Sequence, residues 1–284
     1  MKNKYRDLIK TKKSLGQNFI LDEGLLSELV SHAQITNEDS VLEIGTGLGT
    51  MTDMLAASAK EVVTIEVDDS LIPGLRVRFA FNDRIRLIHG DVLKTDLNGI
   101  IDSFSGIPKV VANIPYYITS DILKKLFGLN RLKSASLLVQ KEVADKILSG
   151  PGDKDYGLIS LLAHYYSEPL FCLDVKRECF HPSPNVDSAF IRLEFKGSRY
   201  FGNNDQMEQL FLSVCDTLFF LRRKTLLNNL VARFHFDRDT AGEVLRSAGI
   251  DPVRRGETLI LDEICHLTEI LYEKQNPAGI MPSK

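Results

Sequence analysis

Apolar runs of four or five residues alternate with stretches of helical period through the first half of this 284-residue chain. The spacing predicts strands over 41–44, 62–66, 85–88, 109–112 and 135–139 and helices over 49–59, 70–80, 119–127 and 141–148. Pro73 falls in the first turn of its helix, where a missing N–H is tolerated. Thr119 or Ser120 is expected to cap the helix over 119–127, and Gly150-Pro151-Gly152 ends the helix over 141–148. Strands in this order pair in parallel through right-handed crossovers, which lays helices on both faces of one sheet.

A helix follows over 158–166, then strands over 169–175 and 189–195. In the last of these, Arg192 and Glu194 alternate with Ile191, Leu193 and Phe195, the pattern of an edge or antiparallel strand. The expected fold is α/β: a doubly wound, seven-stranded, mostly parallel, Rossmann-like sheet. Beyond a link over 197–204, helical periodicity covers 207–220, 224–231, 239–248 and 261–273, with no strand pattern. The domain expectation is therefore 1–200 for the sheet, with a basic N-terminal segment, and 201–284 for a smaller all-α domain. The last ten residues, with Pro277, Gly279 and Pro282, are expected to fray.

With 44% hydrophobic and 26% charged residues the chain is an ordinary globular one. No apolar run approaches the ~18 residues of a membrane helix, and no apolar segment follows the basic start, so a cytoplasmic protein is expected. Cys172, Cys179, Cys215 and Cys265 have neither C-x-x-C spacing nor a nearby histidine pair, so no metal is expected. A net charge of −3 gives no global case for nucleic-acid binding. Local charge does. Lys2, Lys4, Arg6, Lys10, Lys12 and Lys13 face only Asp7 in the first fourteen residues, and Arg222-Arg223-Lys224 is followed by Arg233 with no acid between. Both clusters suit phosphate contacts.

Ligands of open α/β sheets bind beyond the carboxyl ends of the strands. Gly45, Glu66, Asp91 and Asn113 all fall there. Gly45, Gly47 and Gly49 let the backbone approach a ligand. Glu66 is placed for ribose hydroxyls and Asp91 for an adenine amino group. Glu43, at the head of this G-x-G-x-G turn, would repel a pyrophosphate and suit a cationic cofactor, which favours S-adenosylmethionine over a nicotinamide dinucleotide. In Asn113-Ile114-Pro115-Tyr116 the Asn113 side-chain oxygen and the Ile114 carbonyl are two acceptors for the N–H bonds of an exocyclic amine. Pro115 stiffens the loop, and Tyr116 offers a face for the base. Phe180, beside His181 and two prolines, is a candidate for the opposite face or for the core.

These motifs, with Leu15-Gly16-Gln17-Asn18-Phe19, Glu66-Val67-Asp68, Gly90-Asp91, Phe180 through Ser188, Arg222-Arg223-Lys224-Thr225-Leu226 and Arg255-Gly256-Glu257-Thr258-Leu259, make the chain resemble the small-subunit rRNA adenine N6-dimethyltransferases, the KsgA/RsmA family. The resemblance runs from about Lys13 to about Ile270. It implies two methyls on each of two adjacent adenines in the 3′-terminal hairpin of 16S rRNA, within an immature 30S subunit. It also implies S-adenosylmethionine contacts at Asn18, Ile20, Gly45, Glu66, Asp91 and Asn113, the first two from an N-terminal segment folding over the cofactor. Arg222, Arg223 and Lys224 would dock on rRNA. Thr46, Ile20 and Leu227 depart from the usual proline, leucine and arginine; only Leu227 would lose a phosphate contact. A monomer is expected, with no membrane partner. The alternatives are a 23S rRNA methyltransferase conferring macrolide resistance, a non-catalytic assembly factor on the same fold, and, more distantly, a nicotinamide oxidoreductase.

Overall fold

The computed structural model describes residues 11–129, 131–202 and 204–275. Lys2, Lys4, Arg6 and Lys10 of the first basic cluster, and the tail with Pro277, Gly279 and Pro282, lie outside the described residues. Two compact units are present. One holds the residues up to Asp145 with Ser167–Gly197, the other Lys146–Tyr166 with the residues from Ser198 on.

The first unit opens with β1 (Phe19–Ile20) and α1 (Glu23–His32). There follow β2 (Ser40–Ile44), α2 (Thr50–Ser58), β3 (Glu61–Glu66), α3 (Ile72–Phe79), β4 (Ile85–His89), α4 (Leu97–Ser103), β5 (Lys109–Asn113), α5 (Thr119–Phe127), β6 (Ser134–Gln140) and α6 (Lys141–Leu148). After α7 (Leu158–Tyr166) come β7 (Ser167–Val175), β8 (Phe180–His181) and β9 (Ser188–Phe195). Seven strands form one sheet in the order β4-β3-β2-β5-β6-β9-β7, with β2 to β6 parallel and β9 antiparallel to both its neighbours. Every residue of β2 is buried, as befits a central strand covered on both faces. The alternating strand, β9, is antiparallel but interior; the edge is β7, which tolerates Pro169.

From β2 the chain winds outward through β3 to β4, then returns to place β5 on the other side of β2. This reversal opens a crevice between the ends of β2 and β5, the usual ligand position in such sheets.

Two helices, α1 and α4, add to those expected from the sequence. In α1, Leu26, Leu29 and Val30 form a buried stripe and Asp22 caps the start by accepting from Gly24 and Leu25 amides. α4 is seven residues capped by Asp96, too short for a clear period. The cap expected on α5 is corrected. Its N-cap is Ile118, without a side-chain bond, and Thr119 is already helical, its Oγ1 donating to the Tyr116 carbonyl at 3.2 Å.

The second unit contains α7, α8 (Asp205–Phe220), α9 (Leu226–Phe234), α10 (Arg238–Ser247) and α11 (Leu261–Gln275). Its core includes Phe211, Leu218, Leu230, Leu245 and Leu267, all buried. α9 begins two residues later than expected, because Thr225 is its N-cap. Tyr165 and Tyr166 of α7 both donate hydroxyl bonds to Glu208 of α8, at 2.7 and 2.6 Å.

Candidate active site

Strand register brings the predicted residues to one end of the sheet. Ile44 of β2 pairs with Ile65 of β3 and with Ala112 of β5, so Gly45, Glu66 and Asn113 each follow one of three aligned residues. Glu66 in turn pairs with His89, which brings Gly90 alongside. The cleft they line opens to solvent; its other walls include Ile65, Val67, Val92, Ile114, Ile118 and Ile122. Among the described residues no lysine or arginine lines it, and Glu66 supplies the one carboxylate.

Glu66 is buried, and burial pushes its carboxyl above the ordinary range while backbone bonds oppose the shift. Oε2 accepts from the Gly47 amide and Oε1 from the Asp68 amide, each at 2.8 Å. Gly47 has φ +56°, and a Cβ there would lie 3.2 Å from the Phe19 ring. Only glycine allows this turn both to present its N–H to Glu66 and to sit under Phe19.

The cleft's roof is the segment from Leu15 to Phe19. It is held down by the buried carboxylate of Asp68, which accepts from Gln17 Nε2 and Lys12 Nζ at 2.6 Å each. Burial alone would raise the Asp68 pKa; bonds from Lys12, Ser70 and Gln17 outweigh it and hold the carboxyl well below its ordinary value. Further along, β1 pairs antiparallel with β8, Phe19 opposite His181 and Ile20 opposite Phe180. This latch was not anticipated, although Gln17 and Asp68 both lie in motifs of the resemblance.

Asn113 ends β5. Its side-chain N–H donates to the Asn18 carbonyl at 3.1 Å, tying the roof to the strand end. A carbonyl accepts and does not donate, so the bond orients the amide with its oxygen as the remaining acceptor. Ile114 is buried and its amide donates to Leu138 at 3.2 Å. Pro115 then leads into a single 3-10 turn, Tyr116–Ile118. The Tyr116 hydroxyl shares a hydrogen bond with Ser188 Oγ at 2.7 Å, which pins its ring in the cleft wall.

Gly45, Gly47, Glu66, Asn18, Asn113, Ile114, Pro115 and Tyr116 thus converge on one cleft. Other predicted residues sit elsewhere. Ile20 is buried and lines an adjoining cavity with Thr46, Leu48 and Met51; the two cavities share Phe19, Gly45, Gly47 and Asn113. Asp91 lies between the lining residues Gly90 and Val92, its Oδ1 accepting from the Leu93 amide at 2.9 Å.

Glu43 is fully buried and does not line the cleft. Its Oε2 accepts from Thr52 and Thr64 hydroxyls at 2.6 Å each. Burial pushes its pKa up to about 8, against those bonds, so it is protonated at neutral pH. An enclosed neutral acid cannot repel a pyrophosphate; the electrostatic argument passes to Glu66. Phe180 is 3% exposed and packs in the core with Ile20 and Phe190, not in the cleft wall.

Arg222, Arg223 and Lys224 follow α8 in an exposed turn. Arg222 donates to the Tyr156 carbonyl at 3.0 Å within its own unit. Arg233 is paired with Asp216 and stacked over Phe220 at 4.6 Å, so it is not the unpaired cation its sequence neighbours suggested. Among the described residues no group of three or more His, Cys, Asp or Glu is arranged to hold a metal, and no helix is long and apolar enough to cross a membrane.

A family model described as ribosomal RNA adenine dimethylase matches residues 8–271. The chain belongs to that family. It is a family of S-adenosylmethionine-dependent methyltransferases. A ribosomal RNA small subunit methyltransferase A from Clostridium botulinum is 40% identical over 272 residues, 95% of this chain and 97% of that one. The protein of the same description from Geobacillus thermodenitrificans is 42% identical over 268 residues, 92% of this chain and 90% of that one. Among solved structures, a dimethyladenosine transferase from Plasmodium falciparum superposes with a TM-score of 0.75 at 26% identity, over 91% of this chain and 98% of that one. The 23S rRNA methyltransferase ErmE superposes at 0.68 with 23% identity, over 90% of this chain and 100% of that one, a likeness of fold.

Proposed function

We propose that this dimethylase-family protein transfers methyl groups from S-adenosylmethionine to N6 of two adjacent adenines in the 3′-terminal hairpin of 16S rRNA, in an immature small subunit. The observation that carries this reading is the Asn113 amide, one of whose N–H bonds is donated to the Asn18 carbonyl, which orients its oxygen as an acceptor in the cleft that Tyr116 also lines.

The cleft suits the cofactor. Each Glu66 oxygen keeps a lone pair after its backbone bond, enough to accept the two hydroxyls of a ribose. Apolar Ile65, Val67, Val92 and Ile122 suit a flat heteroaromatic ring. The Glu66 carboxylate, with no basic residue beside it among the described lining residues, favours a cationic sulfonium and disfavours a pyrophosphate. Bound there, S-adenosylmethionine would supply a methyl group already activated on sulfur, so no strong base is required of the protein.

What remains is orientation. Adenine's amino lone pair is delocalised into the ring. An N–H bond to the Asn113 oxygen, and a second to the Ile114 carbonyl, favour a pyramidal nitrogen with its lone pair turned away from both acceptors. Tyr116, fixed through Ser188, holds the ring plane by stacking. Arg223 and Lys224 provide the phosphate contacts.

The deciding experiment gives the purified protein labelled S-adenosylmethionine with precursor 30S particles or protein-free 23S rRNA, and locates the product by mass spectrometry. Dimethyladenosine at two adjacent positions of the 30S particle is expected. Label in 23S rRNA alone would establish the large-subunit reading; label in neither would return the chain to a binding role. The small-subunit names of relatives near 40% identity support the first outcome.

A further inference from the structure

We infer that Tyr117 is a stacking platform for the nucleobase next to the target adenine, and so a positioning residue for the RNA strand. The inference rests on the methyl transfer proposed above. A 3-10 turn rotates successive residues by about 120°, so Tyr116 and Tyr117 leave the same turn in different directions. Tyr116 goes inward to Ser188. Tyr117 is 63% exposed, although both its neighbours, Tyr116 and Ile118, line the cleft. It therefore stands at the cleft rim.

The exposed ring is held in place. A Cβ on Gly16 would lie 3.1 Å from Tyr117 Cε1 and 3.2 Å from Cδ1, and Gly16 has φ +60°. The glycine both permits the turn and leaves room for the ring edge. Gly16 itself lines the cleft, and Gln17 next to it is bonded to Asp68. One edge of the ring is thus supported by the roof segment while most of its surface faces water. Among the described residues the Tyr117 hydroxyl has no hydrogen-bond partner, so nothing polar explains the ring's position.

A base swung out of its strand to reach Tyr116 leaves the adjacent base without one stacking neighbour. Tyr117, one residue along the same rigid turn, replaces that neighbour. The contact is with a ring face, which every base possesses, so it steadies the strand without reading its sequence. The apolar face, and not the hydroxyl, is the functional part.

The test measures steady-state and single-turnover methylation of precursor 30S particles by Tyr117→Ala, Tyr117→Leu and Tyr117→Phe, with S-adenosylmethionine affinity measured by calorimetry. Tyr117→Ala and Tyr117→Leu are expected to raise KM for the particles about tenfold. Single-turnover rate at saturation should stay within about threefold and cofactor affinity within about twofold; Tyr117→Phe should behave as wild type. The leucine keeps bulk against Gly16, so it reports on the ring even if the alanine disturbs the roof. Wild-type KM in the leucine variant, a loss confined to turnover, or a phenylalanine variant as defective as leucine would each overturn the inference. An active wild type with an unaffected leucine variant sinks only this proposal; a wild type that methylates no RNA sinks the proposed function as well.

Discussion

Asn113 and Glu66 differ in what each has left to bond. Asn113 keeps its oxygen as an acceptor, so Asn113→Ala should lower the single-turnover rate about 100-fold, by analogy with removing one oriented polar group from an active site, while S-adenosylmethionine affinity, which loses only the tie to Asn18, falls far less. A wild-type single-turnover rate would discard the amine-orienting role. Glu66 must accept from two backbone amides and two ligand hydroxyls. Glu66→Gln turns an NH2 group against an N–H of Gly47 or Asp68, so it should weaken cofactor binding nearly as much as Glu66→Ala, on the order of 10- to 100-fold by calorimetry. Unchanged affinity in either variant would remove Glu66 from the ribose role.

Glu43 leads to a pH dependence. Its folded pKa, about 8, lies above the ordinary 4.5, so the native state holds a proton that the unfolded chain has lost across that interval. Its contribution to stability is fully present below about 4.5 and is lost as pH rises to about 8. Glu43→Gln keeps an acceptor for Thr52 and Thr64 and cannot ionise. It should be more stable than wild type at pH 8, by a few kcal/mol, and nearly equal at pH 5. Parallel melting curves at the two pH values would show that the carboxyl is not held neutral.

Among the elements, the cleft depends on a roof with little secondary structure of its own: a 3-10 turn at Lys13–Leu15 and the two residues of β1. So short a strand gains little by itself; the Asp68 bonds supply the anchorage. Asp68→Asn replaces an acceptor by a donor facing Gln17 or Lys12. Faster amide exchange over 15–20 and about tenfold weaker S-adenosylmethionine binding are expected. Because the Asp68 pKa is lowered, the latch should persist through neutral pH and fail only in acid, as pH falls below the ordinary carboxylate range. Unaltered exchange in the Asn variant would show that β1–β8 pairing alone holds the roof.

The strands were the most legible elements, because a strand buried on both faces has no choice but to be apolar, as in β2 and β5. α1 carries its own local signals, the Asp22 cap and the stripe of Leu26, Leu29 and Val30. β1 and β8 were not readable at all. Two-residue strands exist through their pairing, and that pairing joins segments about 160 residues apart in sequence.

For the whole molecule, α7 lies between sheet strands in sequence but contributes its tyrosines to the helical unit, bonded to Glu208. No local property of residues 158–166 announces this. The basic turn after α8 also divides by use. Arg222 is committed to Tyr156, so Arg222→Gln should lower the melting temperature. Replacing Arg223 and Lys224 by Gln should leave melting unchanged and reduce the slope of log affinity for rRNA against log salt by about 1.4 to 1.8, the release expected for two phosphate contacts. An unchanged slope would mean that these two side chains face away from the RNA.

The residues alone determined the sheet, the helical second unit and the family, because buried strands, glycine turns and an Asn-Ile-Pro-Tyr loop impose their chemistry within a few positions. Only tertiary structure decided which acid is exposed to the cleft and which is enclosed, that Phe180 supports β1 from the core, and that Asp68 fastens the roof. Each of these depends on how far water is excluded by distant segments, and burial is a property of the folded surroundings.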